Sequence, residues 1–126
     1  MFTRANHVSI IISDFVKAKE FYVDILGFKI IDELKRTNGK APIVYLDAGN
    51  IMIELFLMPD APKRLSYPEA KGLRHLAFET DDFEKTIKLL QSNGIAVEDV
   101  RLDERTGKKM TFFNDPDGLP LEVCEK

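Results

Sequence analysis

The sequence contains no tryptophan, a single cysteine and only two histidines among its 126 residues. Each scarcity narrows what the chain can do. One cysteine, Cys124, cannot close an intramolecular disulfide, so stability has to come from a packed core, as in a reducing compartment. No apolar run approaches the roughly 18 residues of a membrane span. Met1-Phe2-Thr3-Arg4-Ala5-Asn6 lacks the apolar centre of a signal peptide, so a cytoplasmic location is expected. An excess of one charge is missing too. The 18 basic and 21 acidic residues leave a net charge of −3, which offers no bulk attraction to nucleic acid or to an anionic membrane surface. The partner this leaves is a small molecule.

What the chain does have is a composition of 44% hydrophobic and 31% charged residues, enough apolar material for a core and too much for a disordered chain. Its length suits one compact domain, 1–126.

An internal repeat organises that domain. His7-Val8-Ser9-Ile10 and His75-Leu76-Ala77-Phe78 each open an apolar run and are followed at equal distance by Ser13-Asp14-Phe15 and Asp81-Asp82-Phe83; the offset is 68 residues. At the same offset Tyr45 aligns with Phe113, Asp47 with Asp115, and Ile53-Glu54-Leu55 with Leu121-Glu122-Val123. Repeat one is expected over about 5–58, a linker or flap with Pro59, Pro62 and Pro68 over about 59–72, and repeat two over about 73–126.

Each repeat reads as a strand, a helix and two or three further strands. Ser13 or Asp14 caps a helix with Phe15, Ala18, Phe21, Tyr22, Ile25 and Leu26 at helical spacing before Gly27. Its counterpart starts at Asp81, with Glu84 at capping-box distance, carries Phe83, Ile87 and Leu90 on one face and stops at Gly94. Strands are expected over 28–34, 42–47 and 50–57, and over 96–102, 109–113 and 119–125. Asp47-Ala48-Gly49-Asn50 and Asn114-Asp115-Pro116-Asp117-Gly118 supply the hairpin turns.

Alternation along the strands assigns the faces. Val8, Ile10 and Ile12 form one row and Ile51, Ile53, Leu55 and Leu57 another, both suited to packing under the helix, which leaves His7 and Glu54 on the opposite face. In the second half Leu76, Phe78, Leu119, Leu121 and Val123 point inward and His75 and Glu122 away. Both histidines in the chain are therefore followed, 47 residues later, by a glutamate on the same face. A pseudo-twofold relation between the repeats would aim two imidazoles and two carboxylates at one point, a donor set suited to a single divalent ion such as zinc, nickel, cobalt, iron or manganese. The ordinary alternative for any one of these residues is a hydrogen-bonded or solvated sheet side chain.

Other groups carry weaker signals. Cys124 shares the face of Glu122 and reads as an inert buried thiol. Asp115-Pro116-Asp117-Gly118 reads as a turn. Arg74, Arg101, Arg105 and Lys109, with Lys108, are candidates for receiving an anionic substrate, against the alternative of a solvated basic loop; Lys63, Arg64 and Tyr67 are candidates for closing over a ligand.

These motifs carry a resemblance over essentially the whole length. His7 with Ser13-Asp14-Phe15, Phe21-Tyr22-Val23-Asp24-Ile25-Leu26-Gly27-Phe28, Gly72-Leu73-Arg74-His75-Leu76-Ala77-Phe78, and Phe112 to Gly118 ending in Glu122 resemble the vicinal-oxygen-chelate superfamily, glyoxalase I in particular. The resemblance implies an α+β fold of two tandem βαβββ modules forming a curled, cup-shaped mixed sheet with helices on its outer face, and a homodimer. It implies His7, Glu54, His75 and Glu122 as metal ligands, with Glu122 as catalytic base and Glu54 as its symmetric partner. The reaction implied is a lyase or isomerase step on a hemithioacetal or small vicinal hydroxy-carbonyl compound, through a metal-stabilised enediolate and with a thiol as cosubstrate. Dioxygenases and fosfomycin-modifying thiol transferases of the superfamily use two histidines and one carboxylate, so Glu54 points toward glyoxalase I. Bleomycin-resistance-like binding proteins normally lack a full metal set. Glyoxalase I relatives usually place an arginine near Ile11 and an asparagine near Met58 to contact glutathione, and both positions are apolar here.

Overall fold

The computed structural model describes residues 1–126, which divide into two compact units, Met1–Pro62 and Lys63–Lys126. The first contains β1 (His7–Ile12), α1 (Phe15–Lys19) continued by a π-helical segment (Glu20–Ile25), β2 (Lys29–Leu34), β3 (Ile43–Asp47) and β4 (Met52–Leu57). The second contains β5 (Leu76–Thr80), α2 (Phe83–Ser92), β6 (Arg101–Leu102), β7 (Lys109–Asn114) and β8 (Pro120–Glu125). Both repeats are thus βαβββ, and the α+β class follows. Each forms an open, mixed, four-stranded sheet, in order β1-β4-β3-β2 and β5-β8-β7-β6, with only the β1–β4 and β5–β8 pairs parallel.

The expected faces are the observed ones. Ile10, Ile12, Leu46, Ile53 and Leu55 are buried in the first unit together with Ala18, Phe21 and Tyr22 of the helix. Leu121, Val123, Phe113 and Thr111 are buried in the second, as are Phe83, Ile87 and Leu90 of α2. Full burial of side chains of this kind stabilises by about 1.5–3 kcal/mol each, so these two cores fix the strand registers.

Local details depart from the sequence reading in four places. The first helix is α-helical only to Lys19; beyond it Leu26 N–H reaches the Phe21 carbonyl five residues back, at 2.9 Å. This wider turn carries the adjacent rings of Phe21 and Tyr22 into the interior, edge to face at 4.9 Å. The second helix is capped by Asp82, not Asp81: its Oδ1 accepts the Lys85 N–H at 3.0 Å, as Asp14 accepts from Lys17. The strand expected over 96–102 shrinks to Arg101–Leu102 and a single bridge between Val97 and Phe113. There the buried Thr111 hydroxyl donates to the carbonyls of Glu98 (2.8 Å) and Asp99 (3.3 Å), a side chain serving groups that a ladder would otherwise bond. Finally, Tyr45 lies opposite Glu54 but Phe112, not Phe113, lies opposite Glu122, because the β7–β8 turn holds one residue more than the β3–β4 turn.

No helix is long and apolar enough to cross a membrane. Replacing Asp82 by Ala leaves the first turn of α2 without its cap and is expected to cost about 1 kcal/mol, read from the midpoint of chemical denaturation. An unchanged midpoint would show that the cap contributes nothing.

Candidate metal and substrate site

Glu54 is placed by the residues on either side of it. Ile53 and Leu55 are buried, so alternation turns the carboxylate to the opposite face of β4. In the parallel pairing Ser9 stands beside Glu54, and His7, two residues earlier on β1, shares their face. The Ser9 hydroxyl donates to Glu54 Oε2 at 2.5 Å, and His7 Nε2 lies 3.5 Å from the same oxygen. His7 Nδ1 donates to Asn6 Oδ1 at 2.7 Å. Bonded to an amide oxygen, Nδ1 carries a proton, and in the tautomer with that proton alone Nε2 holds the lone pair that could bind an ion.

The second unit repeats the construction with different neighbours. Leu121 and Val123 are buried, and Ala77 occupies the place of Ser9 beside Glu122. His75 precedes β5 by one residue, and its Nε2 lies 2.9 Å from Glu122 Oε2. Its ring meets Phe112 edge to face at 5.0 Å, and Arg101 stacks on the same Phe112 ring at 5.1 Å. Both side chains of the pair are largely covered, at 24% exposure for His75 and 12% for Glu122.

The donor chemistry suits a divalent cation. Two protein donors about 2.0–2.2 Å from a shared ion stand about 3–3.5 Å apart; the His7–Glu54 separation of 3.5 Å falls in that range and the His75–Glu122 separation of 2.9 Å just below it. The outward nitrogen of His7 also has the second-sphere acceptor that metal-bound histidines use. No three His, Cys, Asp or Glu side chains are gathered closely enough to hold an ion by themselves, so each repeat presents two donors.

A cleft of about 1190 Å³ opens within the second unit and is lined by His75, Glu122, Phe112, Arg74, Arg101 and Arg105 among others. Three of the four basic residues singled out for substrate are therefore grouped with one His–Glu pair. Lys109 is not: alternation along β7 turns it toward α2, where Nζ meets Glu84 at 2.6 Å, an interaction that raises the lysine pKa. Arg74 is raised likewise by its 2.7 Å hydrogen bond from Nε to Glu69, and Arg101 lies 3.4 Å from Glu98. Arg105 sits in a turn organised by Asp103, whose carboxylate is held below its usual range by the backbone N–H of Thr106 first and then of Arg105. Of the candidates for closing over a ligand, Arg64 and Tyr67 line the cleft and Lys63 does not, and the Arg64 guanidinium donates to the carbonyls of Leu73 and Arg74. Cys124 keeps its proton: burial first, then the charges of Glu122 and Glu79, push the thiol pKa up. Asp115 accepts the N–H groups of Asp117 and Leu119 at 2.9 and 2.8 Å, the work of a turn residue.

Three residues here escaped the sequence reading. Ser9 is found only once β1 and β4 are in register, although its even spacing from His7 placed it on the right face. Phe112 was hidden by the extra turn residue before β8. Arg36 lies 5.6 Å over Phe56, two residues beyond Glu54, and donates from Nε to the Ala41 carbonyl at 2.6 Å; nothing periodic in its loop marks it.

The site's architecture can be set beside known proteins. Residues 4–123 match the family described as the glyoxalase/bleomycin resistance protein/dioxygenase superfamily. The chain is 47% identical to the protein YwkD of Bacillus subtilis, over 96% of this chain and 95% of that one. It is 32% identical to the metallothiol transferase FosB of Staphylococcus saprophyticus, over 98% of this chain and 77% of that one. Among solved structures, the glyoxalase family protein from Enterococcus faecalis superposes with a TM-score of 0.88 at 46% identity, covering 98% of each chain. The duplicated βαβββ fold and the match along nearly all its length agree, and the chain belongs to the glyoxalase/bleomycin resistance protein/dioxygenase superfamily.

Proposed function

We propose that the chain is a metal-dependent, glyoxalase I-like lyase or isomerase that moves a proton between adjacent carbons of a hemithioacetal or a small vicinal hydroxy-carbonyl compound. The observation that carries this reading is the duplicated His–Glu pair, with separations of 3.5 and 2.9 Å. His7, Glu54, His75 and Glu122 would together supply the ligands of one divalent ion: zinc, nickel, cobalt, iron or manganese. Such an ion, when bound, offers Lewis-acid stabilisation of negative charge on the substrate's vicinal oxygens, worth several kcal/mol.

The rest of the chemistry falls to the protein. Glu122 is the base: its carboxylate takes the proton from the carbon bearing the hydroxyl and, in a hemithioacetal, the sulfur, and returns it to the neighbouring carbonyl carbon, while the hydroxyl proton passes to the former carbonyl oxygen, so that the first carbon becomes the carbonyl and the second bears the hydroxyl. No oxidant or reductant is needed, since one C–H bond breaks and another forms within the same molecule. Glu54 is the symmetric partner. Arg74, Arg101 and Arg105 would receive an anionic part of the substrate, with Arg105 the one whose side chain has no acidic partner at hydrogen-bond distance. Phe112 walls the cleft beside His75 and limits the access of water. The protein would act in the cytoplasm as a homodimer on a small molecule, as the family resemblance implies.

A second reading is thiol transfer, favoured by the 32% identity to FosB, itself a metallothiol transferase. Glu54 weighs against it, because such enzymes resemble this chain but use a single carboxylate. Elemental analysis of protein purified without added metal, followed by isomerisation assays across several thiols and metals, separates the two.

Three outcomes are expected. Wild-type protein carries one divalent ion per chain, and the double variant His7→Ala, His75→Ala loses it while keeping its circular dichroism, because neither ring is part of the core. Full occupancy in that variant would sink the metal reading. Glu122→Gln keeps an oxygen donor but little basicity, so metal stays and turnover falls at least about a hundredfold. An intact rate would mean that Glu122 is not the base. The third outcome concerns the thiol. Ile11 shares the face of Ser9 and Glu54 and is half exposed, as is Met58, and neither can donate to a glutathione carboxylate. Each missing charge-assisted hydrogen bond is worth about 1.5–3 kcal/mol, so the glutathione adduct of methylglyoxal should be a poor substrate beside other thiol adducts. Saturable turnover of that adduct with kcat/KM above about 10⁴ M⁻¹s⁻¹ would refute this.

A further inference from the structure

The two repeats give their glutamates different neighbours, and the difference lies at one position. Ser9 and Ala77 are equivalent by sequence offset and by register, each standing directly beside its glutamate across a parallel strand pair. Ser9 is exposed on the site face, so its hydroxyl contributes nothing to the core. The hydroxyl has one proton to give, and it gives it to Glu54 Oε2 at 2.5 Å, within the short range of a charge-assisted bond. The same oxygen faces His7 at 3.5 Å. Ala77 has only a methyl group to offer, and Glu122 closes instead on His75 at 2.9 Å.

We propose that Ser9 is a positioning residue that holds the Glu54 carboxylate ready as a metal donor, a role that no hydroxyl fills beside Glu122, where Ala77 stands. The inference rests on the metal reading above. A glutamate side chain loses much rotamer freedom when it is fixed, and a carboxylate fixed before the ion arrives has less of that freedom left to lose. A hydroxyl on Oε2 leaves Oε1 and the remaining lone pairs of the carboxylate available. Outer-shell partners of this kind typically change metal affinity by about 10- to 100-fold.

Calorimetric titration of the metal-free full chain with nickel(II) and with zinc(II) tests this in wild type, Ser9→Ala, Ser9→Thr and Ala77→Ser, with circular dichroism and Tm as controls on folding. Ser9→Ala is expected to keep one site and weaken it about 10- to 100-fold. Ser9→Thr, which keeps the hydroxyl, restores the affinity. Ala77→Ser, which supplies Glu122 with the donor it lacks, tightens it. Wild-type affinity in Ser9→Ala, with a wild type that binds one ion, overturns the role of Ser9 and leaves the metal reading standing. No tightening in a folded Ala77→Ser also overturns it, independently of whether Ser9→Ala folds. A wild type that binds neither ion removes the metal reading and this inference with it.

Discussion

The whole site depends on the parity of two strands. In β4 and β8 a glutamate is flanked by two buried aliphatic residues, Ile53 and Leu55 in one and Leu121 and Val123 in the other. A shift of register by one residue would exchange the faces, exposing those side chains and forcing a carboxylate into the core, where an unpaired charge is very costly. The aliphatic core therefore aims the glutamates. The parallel neighbours β1 and β5 are locked to the same parity, which brings His7 and His75 to the face of their glutamates rather than leaving them to find it.

This explains which parts were legible in the sequence. Anything fixed by period-two alternation or by the 68-residue repeat could be read directly: the βαβββ units, the buried rows, the shared face of each histidine and glutamate. What depended on a single residue in a turn could not. One extra residue before β8 makes Phe112 rather than Phe113 the neighbour of Glu122, and ungapped alignment of the repeats conceals it. The same holds where a side chain displaces a backbone bond. Thr111 takes over the carbonyls of Glu98 and Asp99, and a segment with strand-like composition is left with only a two-residue strand. The tail of the first helix carries apolar spacing that α- and π-helical turns both satisfy to a first approximation, so periodicity could not choose between them.

Basic residues were the least legible. Arg101 and Lys109 are eight positions apart in one basic stretch, yet Arg101 stacks on Phe112 in the cleft while Lys109 pairs with Glu84 of α2. Long charged side chains are sorted by strand parity and by nearby carboxylates, and composition encodes neither. Arg36 makes the same point in the first unit, where a loop with no pattern places a guanidinium over the ring two residues from Glu54.

Duplication and divergence serve different ends in this architecture. Repeating a βαβββ unit repeats its core, and each copy of that core presents one histidine and one glutamate on the opposite face. The differences between the copies lie beside the His–Glu pairs and outside both cores: Ser9 against Ala77, Asn6 against Arg74, and Tyr45 against Phe112 as the partner of the glutamate. Substitutions there leave untouched the aliphatic rows that set the parity, so the two copies can differ at these positions and keep the same core and the same faces.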